Sequence, residues 1–285
     1  MKKKVLDILQ QELCNLTSAQ RKVADYILKN PVEASFLTLD QLASVAEVST
    51  TTVMRLSFNL GYSGYSEFQK ELQELLRNRV SPTVRLEANI KAVGNDSLLI
   101  ECAEKQIRNI RATVDFLSGD VTNICLESIL KARKVYIVGM RTSFGAAYYL
   151  YQGLNQILDN CEILEPGSGD QVERILDISS SDLVIAISLP RYGRATVDLV
   201  TAIKNLRGAK IISITDGYTS PLASISDLVL PCAFSSLAFH NSITGAVIIS
   251  DFLITSVAMR EAKKTKQRLA SCEEVFTALN FHVEK

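Results

Sequence analysis

The 285-residue sequence has no net charge, no closely spaced cysteine pair and no long uninterrupted apolar run. Its 31 Lys and Arg residues balance 31 Asp and Glu residues, which excludes a strongly basic, histone-like protein. That balance still allows a small DNA-reading domain attached to a neutral one. The six cysteines are scattered without CxxC spacing. We therefore expect free thiols in a reducing cytoplasm, and neither a zinc site nor a disulfide framework.

Two features argue against membrane segments. The first seven residues lack the apolar stretch of a signal peptide, so none is expected. The most apolar window, residues 243–259, is short and has Asp251 in its middle, which predicts a buried helix and not a membrane span. The sequence thus predicts a soluble cytoplasmic protein without a membrane partner.

The apolar pattern changes near residue 80 and predicts two domains. Residues 1–78 have a helical pattern, residues 79–95 contain Pro82 and little periodicity, and residues 96–285 follow the expected linker. Within the first domain, helices are predicted over 17–30, 39–45, 49–60 and 66–77.

Short apolar runs alternate with helical segments in the second domain, whose core is expected over about residues 125–265. The runs predict five strands, at 135–138, 161–164, 183–187, 211–214 and 228–230. A connection between parallel strands must cross over, so helices cover both faces of such a sheet. The predicted fold class is an α/β three-layer sandwich with a five-stranded parallel sheet, behind an all-α N-terminal domain.

An apolar stripe precedes this sheet. It consists of Ala103, Ile107, Ile110, Val114 and Leu117, which share one face of a helix. Because the stripe is longer than one intramolecular face needs, we expect a homodimer or homotetramer.

Residues 38–57 have the spacing of a helix-turn-helix. Small Ala43 lets the two helices approach, and Val53 and Leu56 supply buried contacts. The capped end of the second helix would enter the major groove of operator DNA. The predicted DNA-binding residues there are Ser49, Thr50, Thr51, Thr52 and Arg55. A helical hairpin used only for packing is the alternative.

Two stretches of this half resemble RpiR-type bacterial transcription regulators. They are LTSAQRKVADYILKNP at 16–31, and VSTTTVMRL at 48–56 followed by LGYSGYSEF at 60–68. The sequence departs from the family pattern at Glu47, where glycine is usual, and at 57–59, which replaces a more basic segment. The resemblance implies a DNA-reading fold.

Two loops follow the first and third predicted strands and each opens a helix. Ligands bind at the carboxyl ends of parallel strands where the strand order reverses, and helix N-termini favour anions. The predicted effector-binding residues are Gly139, Arg141, Thr142, Ser143, Ser188, Arg191, Tyr192, Arg194 and His240. We expect three guanidinium groups there without carboxylate partners. Capping hydroxyls and solvated arginines are the alternative.

Residues of about 125–265 resemble the SIS (sugar isomerase) domain, which normally accompanies an RpiR-type DNA-binding half. The resemblance is carried by Gly139 to Ser143, by Ser188, by Ile214-Thr215 and by the strand at 227–230. It implies a phosphosugar held by a Gly-x-Gly-x-Ser loop and a Ser-x-Ser-Gly-x-Thr loop. Here Arg141 replaces the second glycine, and Pro190, Arg191 and Gly193 replace Ser, Gly and Thr of the second loop. A small anionic effector is expected, either a phosphosugar or a carboxylate.

The sequence predicts a ligand-responsive transcription regulator and not an enzyme. An isomerase on the same fold is the alternative, but it needs a base, and nothing pairs His240, Glu165 or Glu173 with a second catalytic group. Neither loop matches a P-loop or GxGxxG, so no cofactor is expected, and no metal site either. A purely structural dimerisation module would leave the arginine-bearing loops unexplained.

Overall fold

Two units make up the chain in the computed structural model, which describes residues 5–77, 82–92, 97–117 and 119–281. The first unit covers Met1–Ala88 and the second covers Asn89–Lys285. Each unit buries its own set of apolar side chains.

Helices form the first unit, and the four predicted helices are confirmed with ends that differ by at most one residue. The structure also has two short helices that sequence reasoning did not predict, the first and the third of the following six. The helices are α1 (Val5–Glu12), α2 (Ser18–Lys29), α3 (Pro31–Phe36), α4 (Leu39–Val45), α5 (Thr50–Asn59) and α6 (Tyr65–Arg77).

Side-chain caps explain where three of these helices begin. Thr17 caps α2 and Thr38 caps α4, each in a capping box with the glutamine three residues later. Ser49 caps α5, because its Oγ accepts a hydrogen bond from the N–H of Thr52 at 3.3 Å. A cap satisfies an otherwise unpaired amide and contributes about 1 kcal/mol. The starts of these helices are therefore determined by local sequence.

The core of the first unit lies where α2, α4, α5 and α6 meet. Ile27, Leu42 and Phe68 are at most 1% exposed. Tyr65 closes one side of this core, since its hydroxyl donates to the carbonyl of Leu37 at 2.7 Å and burial raises its pKa to about 12. Each buried side chain of this size contributes about 1.5–3 kcal/mol to folding.

The stretch 79–95, expected to be a linker, contains α7 (Pro82–Ala92). Pro82 is the first residue of this helix, where its fixed φ and missing N–H are tolerated. The boundary between the two units, after Ala88, falls within the helix. The domain limits 1–78 and 96–285 stay predictions.

The second unit alternates helices and strands. Its helices are α8 (Leu98–Phe116), α9 (Gly119–Lys131), α10 (Thr142–Ile157), α11 (Gln171–Leu176), α12 (Arg194–Arg207), α13 (Thr244–Arg260) and α14 (Ala262–Ala278). Its strands are β1 (Val135–Gly139), β2 (Cys161–Leu164), β3 (Leu183–Ile187), β4 (Lys210–Thr215) and β5 (Leu228–Pro231).

All five strands are parallel and pair in the order β2-β1-β3-β4-β5, which confirms the predicted sheet. Val138 of β1 lies opposite Leu164 of β2, and Gly139 lies opposite Ile187 of β3. The chain builds outward from β1 to β2 and then returns to begin the other half with β3. The strand order therefore reverses between β1 and β3, and their carboxyl ends lie side by side.

Helices cover both faces of the sheet, and the predicted three-layer sandwich is confirmed. Val135 and Ile137 pack with α9, α10 and α13, whereas Tyr136 and Val138 pack with α12 on the opposite face. All five residues of β1 are buried because the strand is central and covered on both sides. The carboxyl ends of β1 and β3 are thereby held on a rigid base.

Most of the apolar stripe of α8 faces outward in the second unit, and the homodimer or homotetramer expected from it stays a prediction. Ile107 is 47% and Val114 is 58% exposed. The inward face is polar instead: Asn109 Nδ2 donates to the carbonyl of Ser235 at 2.7 Å, and its Oδ1 accepts from the N–H of Ser235 at 3.1 Å. Thr113 Oγ1 accepts from the N–H of Ala233 at 3.0 Å. The helix is polar inside because it satisfies the backbone of the loop after β5.

The apolar window that predicted a buried helix forms α13, which is buried on one face only. Ile249 and Leu253 are at most 1% exposed, whereas Met259 is 74% exposed. The predicted burial of this helix is therefore right for its inner face and wrong for its outer face. Among the helices of the described residues, none has the length and apolar character needed to cross a membrane.

Candidate DNA-reading and ligand sites

The helix-turn-helix consists of α4, a tight turn and α5. The N–H of Val48 donates to the carbonyl of Ala43 at 2.9 Å, which closes the turn. Glu47 has a φ of 52°, a conformation that favours glycine. Ala43 is 4% exposed, and Val53 and Leu56 are each 1% exposed, so the predicted close helix contact is present.

The capped end of α5 exposes part of the predicted DNA-reading set. Thr51 and Arg55 are exposed, and Thr50 and Thr52 are half-buried. The hydroxyl of Thr52 lies 3.0 Å from Ser49 Oγ, so these two side chains serve the cap. In the described part of the chain, Arg55 has neither a hydrogen bond nor an ion pair. Thr51 and Arg55 are therefore the side chains most available to a partner.

The other candidate anchors of the first unit differ in availability. Arg21 donates to the carbonyls of Leu13 at 3.2 Å and Leu16 at 3.5 Å. Its guanidinium group therefore serves the turn before α2. Lys22 beside it is exposed.

The predicted ligand loops lie next to each other at the point where the strand order reverses. A Cβ at Gly139 would lie 2.8 Å from the carbonyl oxygen of Ser143 and 2.9 Å from Ala147 Cβ, so only glycine fits there. A Cβ at Gly193 would lie 3.6 Å from Met140 Sδ. The first loop thus touches the second.

Two serine hydroxyls lie at the base of this region. Ser143, in the first turn of α10, is 6% exposed, and Ser188, directly after β3, is 4% exposed. Thr215 fixes the second position, since its Oγ1 donates to the carbonyl of Ser188 at 2.7 Å. Over the residues that the structure describes, neither serine hydroxyl has a hydrogen-bond partner. Both are therefore available to a ligand at adjacent strand ends.

Two arginines of the loops adopt backbone conformations that favour glycine. Arg141 has φ 56° and ψ −126°, and Arg191 has a φ of 66°. Such angles cost a residue with a side chain about 1–2 kcal/mol. Both arginines are exposed, and neither guanidinium group has an ionic or hydrogen-bonding partner among the described residues. These are the positions at which the SIS loop pattern has glycine.

The expectation of three unpaired guanidinium groups is wrong for Arg194. Its Nε lies 3.4 Å from Asp198 Oδ2, one helical turn later, and its side chain is 93% exposed. A side chain at the first position of α12 reaches the fourth residue beyond it, which explains the pair. Thr142, at the first position of α10, is likewise exposed.

Sequence reasoning missed a carboxylate at the same edge. Asp216 follows β4, and its Oδ1 accepts a hydrogen bond from the Tyr192 hydroxyl at 2.7 Å. Its place at the carboxyl end of a strand was the available signal. Complete burial and, to a smaller extent, the negative charge of Asp216 raise the pKa of the Cys232 thiol, which therefore stays protonated. The Tyr192 hydroxyl is thus held by Asp216 within the site.

Thr196 was also missed. It is 1% exposed in the first turn of α12, and its Oγ1 has no partner in the described structure. A Cβ at Gly193 would lie 3.6 Å from this oxygen. The hydroxyl therefore lies close to the contact between the two loops.

His240 lies in the loop between β5 and α13 and is exposed. Its Nδ1 is 3.0 Å from the carbonyl oxygen of Asn241. Asn241, which sequence reasoning did not single out, donates from Nδ2 to the carbonyl of Pro190 at 2.8 Å. This loop thus holds the backbone next to Arg191, and a ligand role for His240 stays a prediction. Over the described residues, no group of three or more His, Cys, Asp or Glu side chains is placed to hold a metal ion.

Family models match both halves of the chain. Residues 3–79 match the helix-turn-helix domain of the rpiR family, and residues 128–256 match the SIS domain. The chain is 24% identical to the HTH-type transcriptional regulator HexR of Pseudomonas aeruginosa, over 99% of each protein.

Solved structures share the fold. The sugar isomerase domain of an RpiR transcription factor from Sphaerobacter thermophilus has a TM-score of 0.60 at 27% identity, covering 62% of this chain and 99% of that one. The Vibrio vulnificus NanR protein, solved in complex with ManNAc-6P, has a TM-score of 0.60 at 23% identity over 96% of this chain and 98% of its own. The chain therefore carries a helix-turn-helix domain of the rpiR family followed by a SIS domain, and it is similar along its whole length to HTH-type transcriptional regulators.

Proposed function

We propose that this protein binds operator DNA through α5 and changes that binding when a small anionic sugar derivative occupies the carboxyl edge of its sheet. One observation carries the ligand part. Ser143 and Ser188 are buried residues at adjacent strand ends, and over the described residues neither their hydroxyls nor the guanidinium groups of Arg141 and Arg191 have a partner. Both serine hydroxyls remain open to a ligand, because neither is among the fully enclosed unpaired oxygens of the described residues.

A phosphosugar fits the base of this site best. The N-termini of α10 and α12 supply positive dipole ends, and the serine hydroxyls supply neutral donors. The complex of the NanR protein with ManNAc-6P supports this ligand class by analogy. The proposed ligand-binding set comprises Gly139, Arg141, Thr142, Ser143, Ser188, Arg191 and Tyr192, with His240 near its opening.

An isomerase on this fold is the rival function, and the arrangement of bases favours the regulator. His240 is exposed beside its neighbour's carbonyl, and Asp216 already accepts the Tyr192 hydroxyl. His282 lies outside the described residues. Proton abstraction needs a base within hydrogen-bond reach of the substrate, in a protonation state matched to the step. A sensor also gains nothing from consuming its signal.

A second copy of the chain is the proposed occupant of the outward face of α8. A helix with an apolar outer face and a polar inner face is the reverse of what a monomer favours. A dimer would give operator DNA two reading heads and double the few cationic contacts that one head offers. As a DNA-binding regulator it would act in the cytoplasm.

The test combines ligand screening with DNA binding by the full chain. A true ligand at about 100–1,000 times its dissociation constant raises the free energy of unfolding by about 3–4 kcal/mol. Glucose 6-phosphate and N-acetylmannosamine 6-phosphate are suitable first probes. Ser188→Ala should lose the thermal shift, whereas Ser180→Ala, on an exposed turn, should keep it. Turnover of a probe, followed by NMR, would instead support the isomerase.

DNA binding is measured on sequences selected from a random library, with and without the same probes. The proposal requires a selected sequence and a change in affinity when a stabilising probe is added. Failure to select any sequence would contradict the DNA-reading role.

A further inference from the structure

The polar groups at the carboxyl edge of the sheet lie at two depths. Ser143 and Ser188 are buried, whereas Arg141 and Arg191 are exposed. In the described part of the chain, none of these four side chains has a partner. Two hydroxyls therefore form the base of the site, and two guanidinium groups lie at its rim.

The base offers several neutral donors to one phosphate. It offers the two serine hydroxyls and the N-termini of α10 and α12. Thr196 adds a hydroxyl that is buried and unpartnered close to the contact between the two loops. A phosphate held by these donors leaves the guanidinium groups of Arg141 and Arg191 available to a second anionic group, since neither has a partner among the described residues.

The arginines are retained although the backbone disfavours them. Both have a positive φ that glycine adopts without strain. Strained positions of this kind cluster at ligand clamps, where the side chain contributes enough to offset the strain. Two independent loops show the same substitution at the same edge. The backbone at these two positions favours glycine, so the presence of arginine is explained by what its side chain binds.

We propose that the ligand carries a carboxylate in addition to its phosphate, and that Arg141 and Arg191 bind this carboxylate at the rim. The inference rests on the proposed function and narrows its ligand class to phosphorylated sugar acids. A carboxylate matches the planar fork of a guanidinium group in shape and charge. The phosphate at the base and the carboxylate at the rim would fix the ligand at both ends.

A matched pair of probes tests the second anionic group. 6-Phosphogluconate and sorbitol 6-phosphate are both open-chain and differ only at carbon 1, which is a carboxylate in the first and an uncharged hydroxymethyl group in the second. Calorimetric titration of the full-length protein should give an affinity at least about tenfold higher for 6-phosphogluconate, as expected for a charge-assisted hydrogen bond. Inorganic phosphate serves as the probe for the base alone.

Glycine variants test the assignment of the two arginines. Arg141→Gly and Arg191→Gly should each lower the affinity for 6-phosphogluconate more than that for sorbitol 6-phosphate, and so lose most of the preference for the carboxylate. Neither should lower the melting temperature, because glycine relaxes the positive φ. Lys266→Ala removes an exposed positive charge from α14 and controls for the change in net charge.

Each outcome has a distinct meaning. Equal affinity of the wild-type protein for the two sugar probes would overturn the carboxylate and leave the phosphate site standing. A preference that survives in both glycine variants would remove the arginines from the site and overturn the inference. Absence of binding by all three probes would overturn the proposed function itself.

Discussion

At the amino edge of the parallel sheet the charged side chains are paired, whereas at the carboxyl edge two arginines are not. Asp182, just before β3, accepts from Arg133 Nε at 2.9 Å and from the N–H of Ser179 at 2.7 Å. Asp227, just before β5, accepts from Lys204 Nζ at 2.7 Å and from the N–H of Ile211 at 2.7 Å. Charge at this edge is satisfied within the chain.

The carboxyl edge has the opposite arrangement. Arg141 and Arg191 are unpaired over the described residues and strained, and the hydroxyls of Ser143 and Ser188 beneath them are unsatisfied. The difference indicates that the amino edge serves folding and the carboxyl edge serves binding. Substitutions at the two edges should therefore affect different measurements.

The largest effect is expected at the amino edge. The Asp182 side chain is fully buried, and Asp182→Asn would replace an acceptor surrounded by donors with a neutral amide. The free energy of unfolding should fall by about 2–3 kcal/mol in urea titrations, because Arg133 is half-exposed and regains some hydration. Ligand affinity should not change. Glu173→Gln, at an exposed position, is the control and should lower the free energy of unfolding by less than about 0.5 kcal/mol. An equally small loss in Asp182→Asn would show that the amino edge does not stabilise the fold.

The same contrast extends to the first unit, where Arg55 has no side-chain partner in the described part of the chain and Arg21 is hydrogen-bonded. Arg55→Ala should weaken operator binding by about 1–3 kcal/mol in anisotropy titrations without changing stability. Arg21→Ala should mainly lower stability, since it removes bonds to the turn before α2. An unchanged binding curve for Arg55→Ala would exclude this side chain from the DNA-reading surface.

Acid should destabilise the protein through the amino edge of the sheet. Burial alone would raise the pKa of Asp182 and Asp227, but their N–H, Arg133 and Lys204 donors hold both values below the ordinary one. A pKa lowered on folding gives stability that is complete above the unfolded value, about 4, and is lost as the pH falls through the folded value. Urea midpoints should drop below about pH 4, and less steeply in Asp182→Asn. Parallel pH curves for the two proteins would exclude Asp182 as the cause.

The smallest effect is a gain in stability at the helix-turn-helix. Glu47→Gly should raise the free energy of unfolding by about 0.5–1 kcal/mol, because relief of the positive φ exceeds the added freedom of the unfolded chain. Glu47→Ala keeps the strain and should give no gain. Equal melting temperatures for the two variants would show that the turn is unstrained.

Local signals explain why the regular elements were predictable. Thr17, Thr38 and Ser49 cap helices whose starts the sequence predicts within one residue. The strands are short, apolar and bounded by polar residues, and their alternation with helices implies the parallel sheet. The ion pair of Arg194 with Asp198 was also readable from their spacing of four residues.

Other features depend on tertiary placement, which periodicity does not encode. The stripe of α8 identifies residues that share a face, but not whether that face points inward. Asn241 reaches Pro190 across 51 residues of sequence. Neither fact has a local signature, because each depends on how the loop after β5 returns to the sheet.

The loop between β5 and α13 connects the helix α8, whose outer face a second copy would cover, to the arginine-bearing loop that a ligand would contact. Asn109 and Thr113 hold its beginning to the inner face of α8, and Asn241 holds its end to Pro190, next to Arg191. With a second copy on the outer face of α8, as proposed, dimerisation and ligand binding become linked equilibria. Linkage is reciprocal, so the factor by which ligand changes the dimer constant equals the factor by which dimerisation changes ligand affinity. The apparent ligand dissociation constant should then vary with protein concentration, even in the absence of DNA.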